Sequence, residues 1–257
     1  MAVWAERSAL TRRARPPRVH RYGPGEDETL DLFPGAPGGP LHLHFHGGAW
    51  RLGSKAESSF LAPALGAEGA HVAIADFSLA PAARLPAIVD QARRAARWAR
   101  RAAAELGAAD APIHVSGHSS GAHLAAMLLD ARWPEGAGLV ASALLVSGVY
   151  DLQPVRASAR NDYLFLDAAT AEALSPVVRP RPTPAAVFCA AQDLDEFRRQ
   201  SALFAAASRA AGAPVLERVL TELDHFRIYD AMGEPDSAIA RTARALMRAA
   251  DPGDVPD

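Results

Sequence analysis

A serine lies inside a G-x-S-x-G frame at Gly117-His118-Ser119-Ser120-Gly121, where a strand-like stretch ending near Ser116 meets a helix-like one. A free serine hydroxyl is a weak nucleophile, and attack on a carbonyl carbon requires that it be held on a tight, exposed turn beside a base. The two glycines permit such a turn. Without a Cβ, Gly117 tolerates a crowded approach of strand and helix, and Gly121 lets the following helix pack closely over the strand. Ser119 is therefore the candidate nucleophile, although the frame alone also fits a turn that caps a helix.

Upstream, the buried-strand pattern Pro40 to Phe45 runs into His46-Gly47-Gly48-Ala49-Trp50. Glycines after a strand leave backbone N–H groups free to point into a cleft, and preorganised donors of this kind stabilise a tetrahedral oxyanion by roughly 3 kcal/mol each. The candidate donors are Gly47, Gly48 and Ala49, with Ser120 just after the nucleophile. An acid and a histidine should follow in chain order, each in a loop after a strand. The strand-like run Ala185 to Ala190 is followed by Gln192-Asp193-Leu194-Asp195. Asp193 is the preferred acid, because Asp195 stands where an N-cap is expected for the helix starting at Glu196. The strand-like run Val215 to Leu220 is followed by His225, the only histidine beyond His123. In this reading His225 is the general base and Asp193 sets its tautomer.

Strands and helices must alternate to place these loops together. Strand-like runs begin near Leu41, His71, Ile113, Leu139, Ala185 and Val215, and Glu28 to Phe33 alternates like an early antiparallel strand. Helical patterns cover Lys55 to Glu68, Leu85 to Leu106, Ser120 to Arg132, Glu196 to Ala211 and Ser237 to Ala250. Short apolar runs separated by helices predict an α/β fold with a mostly parallel central sheet and helices on both faces. Functional loops in such sheets leave the carboxyl ends of strands. At 257 residues, 49% hydrophobic and 22% charged, the chain suits one domain spanning 1–257. Residues 150–184 carry Asp151, Tyr163, Phe165 and several prolines but no clear core strand, and are expected to form a small cap insertion over the cleft.

A formal net charge of −2 offers no electrostatic reason for a nucleic-acid or anionic-membrane partner. Cys189 is the single cysteine, so no internal disulfide forms, and a core-strand position makes packing its expected role. Met1 to Val19 lacks a continuous apolar segment and is read as neither secretory signal nor membrane anchor. A cytoplasmic protein acting on a small molecule is the expectation. Oligomeric state is left open, a homodimer included.

His46-Gly47-Gly48-Ala49-Trp50, Gly117 to Ala126, Ser147 to Leu152 and Glu196 to Ser201 together resemble the serine-dependent kynurenine formamidase (arylformamidase) group, in the hormone-sensitive-lipase-like branch of the α/β-hydrolases. The likeness runs from about Tyr22 onward. Many esterases of that branch carry a third glycine where this chain has Ala49, and an alanine is common where it has Ser120. The resemblance implies an α/β-hydrolase fold and hydrolysis of N-formyl-L-kynurenine to L-kynurenine and formate, without a cofactor. Trp50, Tyr150, Tyr163 and Phe226 are candidate aromatic walls for the aryl group. Arg51 is a candidate partner for a substrate carboxylate, with a solvated surface arginine as the competing reading.

Two alternatives bear on the chemistry. His42, His44 and His46 share an H-x-H spacing with some metal sites. His46 belongs to the glycine loop, where it is expected to support the turn, so no metal is expected. A carboxylesterase acting on small acyl or aryl esters would share every reacting atom with a formamidase. A noncatalytic ligand-binding member of the fold would be expected to have lost one of Ser119, Asp193 or His225.

Overall fold

The computed structural model describes residues 2–108 and 112–248. Eight strands form one sheet: β1 (Arg18–Arg21), β2 (Thr29–Phe33), β3 (Leu41–Phe45), β4 (His71–Ala75), β5 (Ile113–His118), β6 (Val140–Val146), β7 (Ala185–Ala190) and β8 (Val215–Leu220). Their spatial order is β1-β2-β4-β3-β5-β6-β7-β8. The first two strands join antiparallel at one edge, and all pairings from β4 to β8 are parallel. From β3 the chain steps outward to β4, then returns to lay β5 on the other side of β3. That reversal opens a crevice at the carboxyl ends of β3 and β5, where open α/β sheets bind ligands. The register sets Phe45 against Gly117, so the loop after β3 emerges beside Ser119.

The strand runs are apolar throughout because both faces are covered. Leu41, Leu43, Phe45, Ala73, Ala75 and Val115 face one core, while Val72, Ile74, Leu144, Val146 and Phe188 face the other. Period-two alternation between two buried layers abolishes the polar-out pattern of a half-exposed sheet. The helices are α1 (Ala2–Ala14), α2 (Ala62–Leu65), α3 (Leu85–Glu105), α4 (Ser120–Met127), α5 (Gln153–Arg156), α6 (Asn161–Leu164), α7 (Ala168–Ala173), α8 (Asp195–Ala210), α9 (Arg227–Met232) and α10 (Ala238–Arg248). In α3, Leu85, Ile88, Val89, Ala92, Ala96 and Ala99 repeat at helical spacing and are buried. Every residue of α4 is buried, and it lies against β3, β5 and β6.

The structure departs from the sequence reading in four places. Lys55 to Glu68 is not one helix. A 3₁₀ turn at Ser59–Leu61, the short α2 and a second 3₁₀ turn at Ala67–Gly69 replace it, with Glu68 in the left-handed region (φ 61°) and Gly69 at φ 88° breaking the helical path. The helix after Ser119 stops at Met127 rather than Arg132, because Asp130 turns aside to bridge Pro180. Asp195 is the first helical residue of α8, not its N-cap; its carboxylate pairs with Arg198 in solvent. Helix α1 and strand β1 fall where the sequence showed only an arginine- and proline-rich opening. Residues 150–184 hold α5, α6, α7 and a 3₁₀ turn at Pro176–Val178, and no strand of the sheet. No helix among the described residues is long and apolar enough to cross a membrane.

Candidate active site

Ser119 occupies the turn between β5 and α4 with φ 54° and ψ −121°, a left-handed conformation that L residues adopt at a cost of about 1–3 kcal/mol. The turn is tight because glycines flank it. A Cβ on Gly117 would lie 2.2 Å from the Gly121 backbone, and one on Gly121 would lie 2.1 Å from the Phe45 carbonyl oxygen. Gly121 thus brings α4 against the end of β3 as well as over its own strand. The Ser119 hydroxyl donates to His225 Nε2 at 3.1 Å, and His225 Nδ1–H donates to Asp193 Oδ1 at 2.6 Å. With its proton committed to Asp193, the imidazole presents a lone pair to the serine. This is the geometry needed to accept the hydroxyl proton during attack.

Asp193 lies in the loop after β7, its side chain fully shielded. Burial by itself pushes its carboxyl up, but hydrogen bonds from His225, Ser147 and Cys189 outweigh that effect, and the group sits below the usual carboxylate range. Ser147 Oγ–H reaches Asp193 Oδ2 at 2.5 Å, and the Ala190 N–H reaches the same oxygen at 3.2 Å. Ser147 itself has φ 46°, so its turn after β6 aims the hydroxyl beneath the acid. The sequence reading missed this residue.

The loop after β3 carries Gly48 (φ 115°), Ala49 (φ 53°) and Trp50 (φ 57°) in succession. A Cβ on Gly48 would fall 2.1 Å from the Leu52 carbonyl oxygen, so glycine is required there. Among the described residues, the backbone N–H groups of Gly47, Gly48, Ala49 and Ser120 donate to no acceptor. Gly47, Gly48, Ala49 and Ser119 all border one cavity of about 630 Å³. His46 supports the loop as expected, with Nδ1–H donating to the Gly47 carbonyl at 2.8 Å and its ring stacked on Phe77.

The cavity walls come from distant parts of the chain. Val3 and Trp4 of α1, Leu52 to Ser54, Glu57 and Ser58, Arg160, and Phe226, Tyr229 and Asp230 join His118 and His225 around it. Phe226 is 63% exposed at the rim, as a wall residue should be. The other three expected wall residues are elsewhere. Trp50 is 1% exposed, and its indole N–H donates to His123 Nδ1 at 3.2 Å. Tyr150 is fully buried and stacks on Phe204 at 4.5 Å, with Gly148 leaving room for its ring. Tyr163 donates its hydroxyl to the Ala49 carbonyl at 3.3 Å, behind the loop rather than in the cavity. The reason is backbone direction: the two left-handed residues at 49 and 50 turn the Trp50 side chain into the core. Arg51 is exposed and lies over the Tyr163 ring at 5.0 Å.

Trp4 was not foreseen. Its indole N–H donates to Asp230 Oδ1 at 2.5 Å, and its ring meets Tyr229 edge-on at 5.0 Å. His118 was also missed. It stacks on Tyr229 at 4.6 Å, and its Nε2–H donates to the His225 carbonyl at 2.9 Å, fixing the backbone that carries the base. Burial, with the nearby His225, pushes its pKa down to about 3. His42 and His44 both turn to Ser116 Oγ, at 2.6 and 2.8 Å, and His46 lies beyond the strand. Among the described residues no three His, Cys, Asp or Glu side chains are grouped as metal ligands.

A nucleophile turn between a parallel strand and a helix, a histidine and an acid from later strand ends, and free N–H groups in the loop after β3 define a serine hydrolase of the α/β-hydrolase fold. The family model for the alpha/beta hydrolase fold matches residues 42–228. Kynurenine formamidase of Danio rerio is 35% identical over 221 residues, covering 81% of this chain and 74% of that one. The chain belongs to the kynurenine formamidase family. Esterase LipQ of Mycobacterium tuberculosis is 32% identical over 174 residues, 58% of this chain and 41% of that one. Among solved structures, a candidate thioesterase of Silicibacter sp. TM1040 superposes with a TM-score of 0.82 at 27% identity, covering 96% of this chain and 92% of that one.

Proposed function

We propose that this protein is an arylformamidase that hydrolyses N-formyl-L-kynurenine to L-kynurenine and formate through a formyl-enzyme on Ser119. The observation that carries the reading is the unbroken line from Asp193 through His225 to Ser119, at 2.6 and 3.1 Å, opening on a cavity bordered by free N–H groups. His225 Nε2 takes the hydroxyl proton as Ser119 Oγ bonds to the formyl carbon. The carbonyl oxygen becomes an oxyanion, and the N–H groups of Gly47, Gly48, Ala49 and Ser120 are the donors proposed to meet it. Collapse breaks the carbon–nitrogen bond while the imidazolium returns its proton to the departing aryl amine. An aryl amine shares its lone pair with the ring, is less basic than an alkyl amine and is easier to expel. Water, deprotonated by the same histidine, then releases formate and restores Ser119.

Trp4, Tyr229 and Phe226 supply flat apolar walls for an aryl group, while Arg160 and Asp230 offer charges of both signs to a zwitterionic amino-acid tail. We read residues 150–184 as a cap on the cleft, which Arg160 supports by bordering the cavity. We propose the cytoplasm as the default compartment, with which a single, buried free thiol is compatible; cell fractionation tests this.

A carboxylesterase acting on small esters is the second reading, favoured by the likeness to esterase LipQ. Turnover of N-formyl-L-kynurenine against p-nitrophenyl acetate separates the two, with Ser119→Ala expected to lose about 10⁴- to 10⁶-fold in kcat on either substrate. Negligible formamide turnover beside strong ester turnover gives the esterase reading. Unchanged turnover in Ser119→Ala removes both.

A further inference from the structure

We infer that His123 and Tyr163 are positioning residues for the proposed oxyanion loop, acting through Trp50 and Ala49; the inference rests on the hydrolase reading above. A loop with two consecutive L residues at φ 53° and 57° relaxes unless something holds it. Here three successive peptide units are each held. The Gly48 carbonyl accepts the N–H groups of Arg51 and Leu52, at 3.0 and 2.9 Å. Because C=O and N–H point opposite ways across a trans peptide, this turns the Ala49 N–H to the other side of the loop. The next unit is held at both ends: Tyr163 OH donates to the Ala49 carbonyl at 3.3 Å, and the Trp50 N–H donates to Ser120 Oγ at 3.2 Å. The third is fixed where Ala80 N–H donates to the Trp50 carbonyl at 2.7 Å.

The Trp50 side chain adds the longest lever. Its indole N–H donates to His123 Nδ1 at 3.2 Å, with the two rings edge to face at 87°. His123 Nε2–H donates to the Leu174 carbonyl at 2.8 Å, so the tautomer that leaves Nδ1 free to accept is set from the far side. Burial holds the ring neutral, with its pKa pushed down to about 4, so Nδ1 remains an acceptor at neutral pH. His123 sits one helical turn beyond Ser119 on α4. Loop and nucleophile are therefore tied to one rigid helix by two bonds, through Ser120 Oγ and His123. Tyr163 and Leu174 both come from residues 150–184, so that segment braces the loop from behind. The Arg51 guanidinium over the Tyr163 ring at 5.0 Å keeps the phenol in place.

Trp50→Phe removes the N–H but also shrinks the buried indole to a phenyl ring, and Tyr163→Phe removes only the hydroxyl. The two variants and wild type are compared by kcat and KM on N-formyl-L-kynurenine and on p-nitrophenyl acetate, normalised to sites titrated with a fluorophosphonate. Thermal unfolding is followed in parallel. We expect kcat to fall about 5- to 50-fold for Trp50→Phe and about 2- to 10-fold for Tyr163→Phe, less than the 10²- to 10³-fold loss on deleting a donor outright. KM stays within about twofold for both substrates, since both build the same oxyanion. His123→Gln, which retains an acceptor and a donor, keeps more kcat than His123→Leu. Unchanged kcat per titrated site in both aromatic variants overturns the inference whatever happens to Tm. So does a raised KM with kcat preserved, which would make these rings substrate contacts. Absence of Ser119-dependent turnover in wild type overturns the hydrolase reading itself, an outcome distinct from any behaviour of the variants.

Discussion

Acidification is expected to unfold this protein at a pH where most carboxylates are still ionised, because its core holds histidines that bury only as neutral rings. His42, His114, His118 and His123 are all buried. Burial drives their pKa from 6.5 down to about 3, 4, 3 and 4 respectively, with a neighbouring imidazole adding to the effect at His42 and His118. The unfolded chain returns each to its ordinary value, so between about pH 6.5 and 4 the unfolded state binds protons that the folded state does not. Stability is then complete above the unfolded pKa and drains away as pH falls. At about pH 5.5 each ring accounts for about 1–2 kcal/mol of lost stability, and the four together for about 6 kcal/mol. That compares with the total of about 5–15 kcal/mol typical of a native domain. His44, lowered by burial as well, and Asp193, lowered by its donors, push the same way. Urea unfolding followed by circular dichroism from about pH 8 to 5 should show ΔG falling by about 5 kcal/mol per unit near pH 5.5. His114→Gln, remote from the cavity and bonded to Ser142 Oγ at 2.8 Å, should reduce that slope by about 1 kcal/mol per unit. A ΔG that stays level to within about 1 kcal/mol across this range would refute the reasoning.

Three substitutions test the site more directly. Ser147→Ala removes the 2.5 Å donor to Asp193 Oδ2, an interaction with a charged group worth about 1.5–3 kcal/mol, and should lower kcat/KM about tenfold or more in steady-state assays; an unaltered rate would mean that Cys189 and Ala190 suffice. Trp4→Ala opens the cavity wall, and at about 1–2 kcal/mol of lost ring contact KM for an aryl formamide should rise roughly 5- to 30-fold. The rate on an alkyl ester such as ethyl acetate, which has no aryl group, should barely move, and an equal loss on both substrates would argue against a role for this wall in selectivity. Gly121→Ala would set a methyl 2.1 Å from the Phe45 carbonyl oxygen, forcing α4 off the end of β3. Overpacking of about 1–3 kcal/mol or more should appear as a lowered Tm together with lost activity.

The three side chains of the proposed triad could be picked out because each follows a strand-like run, and the structure brings them together because loops at the carboxyl ends of parallel neighbours meet at one rim. Asp193 and Asp195 are close in sequence, yet one lies under the His225 ring and the other in solvent beside Arg198. The N-cap expected at Asp195 is what distinguished them, although that role did not materialise, since Asp195 is the first helical residue. What the residues did not reveal is long-range direction. No local rule anticipates two consecutive non-glycine residues in the left-handed region, and it is that pair which turns Trp50 from the cavity into the core. Helix α1 was illegible for a related reason. It has little apolar periodicity and is secured at separate points, by Trp4 on Asp230, Arg7 on Glu234, Ser8 on the Glu57 carbonyl and Arg12 on Asp31. Contacts spanning 226 residues leave no trace in a local window.

Formamide and ester hydrolysis share the attack step and part company at the leaving group. A phenolate or alkoxide can depart carrying its charge, whereas an amine must receive a proton as the carbon–nitrogen bond breaks. An enzyme for formamides therefore depends more heavily on where the imidazolium points. The His225 ring, its side chain 22% exposed, is bounded by Asp193 at Nδ1, the Phe197 ring at 4.3 Å, His118 at 4.8 Å and Phe226 at 5.7 Å, while its carbonyl is held by His118. A ring so restrained delivers its proton along one line, and the nitrogen must be brought to that line by the substrate's remaining contacts. In the proposed reading those contacts fall to Trp4, Arg160 and Phe226, which border the cavity from three distant segments. In that reading a preference for an aryl formamide is a property of the assembled cavity, and substitutions in the walls should alter selectivity while leaving the serine's reaction with small alkyl esters in place.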